Sequence, residues 1–135
     1  DPRRIVIGGK DQITQSNFHT ITRETIVFKK TFSVDDNFDC IQLEGKPEFD
    51  PHSILDALIS KGIYSVYIEG GSYTTSCFLK RNALDQVQIH FSCKILGSGI
   101  GSFSFGNTQE IKDSVQFKST SFRAIGNEMM FIGNL

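Results

Sequence analysis

Apolar residues in this chain come in short runs, and their spacing switches between a strand-like and a helix-like period. Arg4-Ile5-Val6-Ile7 reads as a short strand ending at Gly8-Gly9. Residues 11–23 are polar and read as a loop with Ile13 and Phe18 turned inward. Thr25-Ile26-Val27-Phe28 is a second buried run, followed by the charged Lys29-Lys30. A turn at Asp35-Asp36-Asn37 then leads into a third strand at Cys40-Ile41-Gln42-Leu43.

The period then changes. Ile54, Leu55, Leu58 and Ile59 recur at helical spacing and predict one buried helix face. Asp50 can cap this helix, Pro51 suits its first position and Gly62 can close it. Val66-Tyr67-Ile68 follows as a short buried strand, so helix leads into strand as in βαβ units with a parallel sheet. After Glu69 the chain turns on Gly70-Gly71 and continues as a second helix through Phe78-Leu79. Val87, Ile89, Phe91, Cys93 and Ile95 then alternate with Gln86, Gln88, His90, Ser92 and Lys94, which predicts a long strand with one buried face. Gly97, Gly99 and Gly101 break it. Val115–Phe117 and Met129–Phe131 read as a closing antiparallel pair, with a turn at Gly126-Asn127. The expected class is α/β: a mixed, mostly parallel sheet flanked by helices, ending in an antiparallel hairpin.

The candidate chemistry sits at Glu69-Gly70-Gly71. Strand, glycine turn and helix together aim backbone N–H groups at an anion from a helix N-terminus. Glu69 would stand at the carboxyl end of its strand, where open α/β sheets bind ligands. The plain alternatives are a tight turn that needs glycines and a surface carboxylate.

Composition narrows the classes. The 135 residues suit a single domain, 1–135, and the net charge of −1 gives no electrostatic footprint for nucleic acid. No apolar run has membrane-spanning length and no signal peptide is visible, so neither membrane nor nucleic acid is an expected partner. Cys40, Cys77 and Cys93 show no C-x-x-C spacing and fall in or beside apolar stretches, as small buried hydrophobes of a reducing, cytoplasmic compartment would. His19, His52 and His90 are scattered, and no metal site is expected. Asp1 is not a methionine and the chain runs straight into a strand, so it is expected to be a domain cut from something longer.

Several of these motifs, in order, resemble the reductase domain of bacterial riboflavin-biosynthesis RibD proteins. They are the opening Asp1-Pro2-Arg3-Arg4-Ile5-Val6-Ile7, then Val66-Tyr67-Ile68-Glu69-Gly70-Gly71, Phe78-Leu79, Asp85 and Lys94-Ile95-Leu96-Gly97-Ser98-Gly99. The ending, Phe122 through Ile132, is similar to that family's closing hairpin. The resemblance covers nearly the whole chain.

It implies a dihydrofolate-reductase-like, three-layer fold binding NADPH. It further implies hydride delivery to the ribosyl carbon of a phosphoribosylaminopyrimidine, 5-amino-6-(5-phosphoribosylamino)uracil. By position, Glu69 would face the substrate. Gly9, Gly70, Gly71, Ser72, Tyr73, Thr74, Thr75, Ser76 and Cys77 would line the cofactor, with hydroxyls of Ser72, Thr74 and Thr75 available as donors. Arg3, Arg4, Lys10 and Lys30 are candidates to read a ribose 2′-phosphate, and Lys80-Arg81 could attract a phosphate from beside the turn.

The departures are specific. Cys93 stands where the family usually has proline, and Tyr73 is bulky where a small residue is common. The family's first strand and helices have no counterpart here, and the zinc deaminase signature of H-x-E with P-C-x-x-C is absent, so no deaminase domain is expected. Three functions stay open: a piece of the riboflavin reductase, a reductase of the same fold with another substrate, and a shortened, non-catalytic binding or assembly module. Twelve phenylalanines and an incomplete sheet predict self-association as a homodimer.

Overall fold

The computed structural model describes residues 2–8, 25–29, 39–42, 49–104 and 110–135. The expected loop over 11–23 with Ile13 and Phe18, the turn at Asp35-Asp36-Asn37, and Gly9, Lys10, Lys30 and Leu43 lie outside these residues. The backbone forms two compact units, Asp1–Tyr64 and Ser65–Leu135.

The first unit carries three short parallel strands, β1 (Ile5–Ile7), β2 (Ile26–Lys29) and β3 (Asp39–Gln42), in the order β1-β2-β3. Registers pair Val6 with Val27 and Val27 with Cys40. Because β2 is central, Ile26, Val27 and Phe28 are all buried, which is why this strand reads as an unbroken apolar run instead of an alternating one. Helix α1 (Pro51–Ser60) packs Ile54 and Leu58 with Ile26 and Phe28, while Ile5, Ile7, Ile41 and Ile63 close in partly buried around them.

Helix α1 starts and stops where its residues predict, with one difference in the cap. Asp50 holds the N-cap position and Pro51 the first turn, but the Asp50 carboxylate makes no backbone cap bond and instead accepts from the Ser53 hydroxyl at 3.2 Å. At the other end Gly62, at φ +76°, donates its N–H to Ile59 O, and Ile63 N–H reaches Leu58 O. That pair of bonds is a Schellman closure, and it requires a residue able to take a left-handed backbone. Ile59, expected on the buried face, is 52% exposed. The narrow stripe of Pro51, Ile54 and Leu58 meets the sheet, and Ile59 turns past its edge.

The second unit carries helix α2 (Ser72–Lys80) and an antiparallel sheet of β4 (Gln86–Phe91), β5 (Ser119–Ile125) and β6 (Glu128–Asn134) in the order β4-β6-β5. A two-residue turn at Gly126-Asn127 joins β5 to β6, with Gly126 at φ +60° and Ile125 opposite Glu128. The turn is the expected one, but its first strand is Ser119–Ile125, and Val115–Phe117 forms no strand. A tight turn fixes the register residue by residue, so the strand opposite Glu128–Asn134 has to be Ser119–Ile125. Phe117 packs instead on the sheet face, edge-on to Phe131 at 5.3 Å between ring centroids.

Gly133 makes that packing possible. A Cβ there would lie 2.6 Å from Phe117 Cδ1, so the ring occupies the space that a side chain would need.

Two further expectations are corrected. Strand β4 ends at Phe91, short of Ile95; beyond it Ile95 is 98% exposed and Cys93 is exposed too. Alternation alone cannot hold a strand where no partner continues, and β6 begins only at Glu128, so its ladder with β4 ends at the Phe91–Met129 pair. Val66-Tyr67-Ile68 joins no ladder among the described residues, and Tyr67 is 68% exposed. The run buries little apolar surface, with Val66 36% exposed as well, so little holds it against either outer strand of the β4-β6-β5 sheet. The α/β class holds, with the parallel and antiparallel strands of the described residues divided between two three-stranded sheets.

Candidate functional site

Helix α2 is built with dissimilar ends. Its C-terminus closes on itself: Asn82, at φ +51°, donates to Leu79 O and Ala83 N–H reaches Phe78 O, a second Schellman closure with asparagine in place of glycine. Its N-terminus does not. The N-cap is Gly71, which has no side chain to accept from the first-turn amides, and no acidic residue lies in that turn. The first backbone bond is Thr75 N–H to Gly71 O at 3.2 Å. First-turn amides have no acceptor within their own helix, and their dipoles sum to a partial positive charge.

The two glycines of the turn have different reasons for being there. A Cβ on Gly70 would sit 2.8 Å from Thr74 Cβ and 3.1 Å from its Cγ2, so the methyl-bearing side chain of Thr74 fills that space. Gly71 has no such neighbour: among the described residues nothing lies within 4 Å of its would-be Cβ. Its backbone, φ −69° and ψ 172°, suits any residue. The fold therefore requires glycine at 70 and leaves open space at 71, directly against the helix N-terminus.

Ser72, the next residue and the first of α2, has a buried Oγ with no hydrogen-bond partner among the described residues. Thr74 and Thr75 are half-buried, Tyr73 is exposed, and Ser76 and Cys77 are buried. Glu69 is exposed just before the turn. The structure thus brings Glu69 through Cys77 together on one turn and one helix. Gly9 lies outside the described residues, and Arg3 and Arg4 belong to the first unit.

Lys80 and Arg81 sit at the opposite end of α2 from the turn, about 12 Å along the axis at 1.5 Å per residue. Their positive charge complements the C-terminal carbonyls there instead of serving an anion at the N-terminus. A shallow cleft of about 380 Å³ lies at that same far end, lined in part by Leu79, Asn82, Leu84, Val115 and Leu135. It contains none of the residues from Glu69 to Cys77.

Two residues absent from the sequence reading join the site. The Ser76 hydroxyl, on a side chain only 3% exposed, accepts from Ser104 N–H at 2.7 Å. Thr75 Oγ1 lies 3.1 Å from Ser102 O, as well as 3.2 Å from Gly71 O and 3.3 Å from Ser72 O. These bonds bring the glycine-containing segment after β4 against α2. Nothing in the local sequence around Ser102 and Ser104 marks them, since partners 27 and 28 residues apart become visible only in three dimensions. Among the described residues no three His, Cys, Asp or Glu side chains gather as metal ligands, and no helix is long and apolar enough to cross a membrane.

Comparison with known proteins identifies the architecture. A profile described as the RibD C-terminal domain matches residues 1–131. The riboflavin biosynthesis protein RibD of Buchnera aphidicola subsp. Baizongia pistaciae is 27% identical over 138 aligned positions, covering 97% of this chain and 37% of that protein. Among solved structures, Acinetobacter baumannii RibD superposes with a TM-score of 0.79 at 18% identity, over 98% of this chain and 37% of the other. A Thermotoga maritima diaminohydroxyphosphoribosylaminopyrimidine deaminase/5-amino-6-(5-phosphoribosylamino)uracil reductase gives 0.77 at 26% identity, over 99% and 38%. The riboflavin biosynthesis reductase Rib7 of Saccharomyces cerevisiae gives 0.74 at 20%, over 98% and 69%. The chain thus spans little more than a third of the RibD proteins it matches and about two thirds of the yeast reductase.

Proposed function

The chain belongs to the family of RibD C-terminal domains, and from that premise we propose that it forms the cofactor-holding part of an NADPH-dependent reductase of riboflavin biosynthesis. Its substrate in this reading is 5-amino-6-(5-phosphoribosylamino)uracil, which the Thermotoga relative's name also gives. The observation that carries the proposal is Gly71. Neither backbone conformation nor packing calls for glycine there, and the space it leaves lies against an uncapped helix N-terminus. A phosphate fits such a place, since amides can approach it without a Cβ between them.

The residues present suit the cofactor in chemistry as well as in shape. The unpartnered, buried Ser72 hydroxyl is a donor in need of an acceptor, which a phosphate oxygen supplies. The first turn of α2 would hold a phosphate by backbone N–H groups and by the helix dipole, worth about 0.3–1 kcal/mol per favourable charge. Thr74 fills the space beside Gly70 and so sets the angle at which the turn enters the helix. Bound NADPH supplies the hydride; the chain's part is to position and orient. Glu69, exposed one residue before the turn, would accept hydrogen bonds from pyrimidine N–H groups and so orient the base.

The partner in this reading is a second copy of the chain. Strand β5 has β6 on one side only among the described residues, and Phe91, Met129 and Phe122 share one sheet face and are each at least partly open to solvent. Open edges beside apolar faces favour pairing with another chain. Both substrates are charged metabolites, which suits a cytoplasmic site.

Calorimetric titration of the chain with NADPH, repeated on Gly71→Val, tests the proposal. Saturable binding that the substitution abolishes is expected. A folded chain that binds no NADPH would overturn the reading and favour a non-catalytic assembly module.

A further inference from the structure

We propose that Thr75 and Ser76 are positioning residues that clasp residues 97–104 to α2, so that this segment becomes a fixed wall beside the first turn of the helix. The inference rests on the reading of that turn as the cofactor site and gives these two hydroxyls a different task from touching the cofactor.

The segment is rich in glycine. It follows the end of β4 and contains Gly97, Gly99 and Gly101, with Gly97 at φ +78°. Its apolar residues differ: Ile100 is 94% exposed and Ile95 and Leu96 just before it are also bare, whereas Phe103, between the two hydrogen-bonded serines, is half-buried. Glycine-rich backbone carries the largest conformational entropy to be lost on ordering. Two adjacent helix residues bond it directly to α2. The Ser104 N–H to Ser76 Oγ bond, at 2.7 Å, is the stronger by length, and the Ser76 side chain is buried where water competes least.

Thr75 couples the clasp to the turn. One hydroxyl has one proton, and three carbonyls lie within reach of it: Ser102 O in the segment, and Gly71 O and Ser72 O in the turn itself. Donation to Ser102 O docks the segment. Donation to Gly71 O or Ser72 O is the ordinary back-bond of a helical threonine and lets the segment go. The choice made by this proton therefore links the segment's position to carbonyls at the N-cap and first helical residue, the two positions where the proposed phosphate site is built.

The experiment has two readouts on the same chain. Hydrogen exchange over residues 97–104 is measured without ligand in the wild type, Ser76→Ala, Thr75→Val and Thr75→Ser, and NADPH is then titrated into each. Expected are faster exchange at the Ser104 amide in Ser76→Ala, faster exchange across the segment in Thr75→Val, and recovery in Thr75→Ser. One lost hydrogen bond should weaken NADPH binding about 2- to 12-fold in Ser76→Ala and Thr75→Val, because the docked state is less populated. Thr75→Ser should bind as the wild type does.

Unchanged exchange at 97–104 in Ser76→Ala would overturn the clasp. Faster exchange with unchanged NADPH affinity, while Gly71→Val still abolishes binding, would show a clasp that does not serve the site and would overturn the positioning role. If the wild type binds no NADPH, the reading of the site and the positioning role fall together, and the exchange results alone decide whether the clasp exists.

Discussion

The two neighbouring glycines of the turn should respond in opposite ways to the same small substitution. In Gly70→Ala the new methyl carbon would start 2.8 Å from Thr74 Cβ, against the ~3.5–4.0 Å that two carbons prefer. Thr74 Cβ is fixed to the helix backbone and cannot swing aside, so either the turn or the helix start must move. Overpacking of this kind costs about 1–3 kcal/mol, offset by the ~0.4–1 kcal/mol that alanine recovers from the unfolded chain. The net loss is about 1–2 kcal/mol. For 135 residues, at ~2.1 cal/mol/K per residue of unfolding entropy, that lowers Tm by about 4–7 °C. In Gly71→Ala the methyl meets nothing within 4 Å, and alanine accepts the backbone angles. The entropy gain and the weaker N-cap preference of alanine nearly cancel, leaving Tm within about 2 °C. Binding should reverse the order of effect. Gly71→Ala fills space that the phosphate uses and weakens NADPH on the order of tenfold, about 1.4 kcal/mol. Thermal unfolding by circular dichroism together with NADPH titration reads both halves. Equal stability of the two variants would refute the packing argument, and undiminished NADPH affinity in Gly71→Ala would refute the assignment of the open space.

Three other substitutions test the second unit. Gly133→Ala should destabilise by about 1–2 kcal/mol, because its methyl would lie within 2.6–2.9 Å of the Phe117 and Phe131 rings. Combining it with Phe117→Ala should relieve that clash, and a double-mutant cycle by urea unfolding should return a coupling of about 1 kcal/mol; strict additivity would refute the contact. Phe122→Lys, on the exposed apolar face of the β4-β6-β5 sheet, should shift light-scattering mass toward the monomer, whereas a wild type that is monomeric at every concentration would refute the partner assignment.

Local signals read well from this chain because their causes are local. The two-residue turn at Gly126-Asn127, the proline start and glycine stop of α1 and the unbroken apolar run of β2 each follow from the residues that form them. What failed depended on partners far away in sequence. Residues 92–95 continue the alternation of β4 perfectly, yet no strand runs beside them, and their apolar side chains stand in solvent. Ser119–Ile125 was hard to see for the converse reason: three of its seven residues are Ser or Thr and one is Arg, and it becomes a strand because the turn lays it along β6. The candidate site divides in the same way. Glu69 through Cys77 were legible as a turn entering a helix, whereas the attachments of Ser102 and Ser104 were not.

The two α-helices among the described residues, taken together, make the case for an anion at α2 more directly than either does alone. Both end in the same manner, with a Schellman closure that satisfies their last carbonyls from within the chain, by glycine at 62 and asparagine at 82. They begin differently. Helix α1 starts with its own negative charge, Asp50, at the N-cap, and with Pro51, which removes one of the donors that would need an acceptor. Helix α2 starts with a neutral glycine, no proline, no acid in its first turn and a buried serine hydroxyl without a partner among the described residues. An asparagine, aspartate or serine at position 71 would cap this helix better than glycine does. No backbone angle, and no neighbouring atom of the described residues, stands against such a residue there. This helix has its C-terminus closed by the chain, while its N-terminus forgoes an available cap and leaves its start to be completed from beyond the described residues. A negatively charged phosphate group meets both requirements, acceptor and charge, at once.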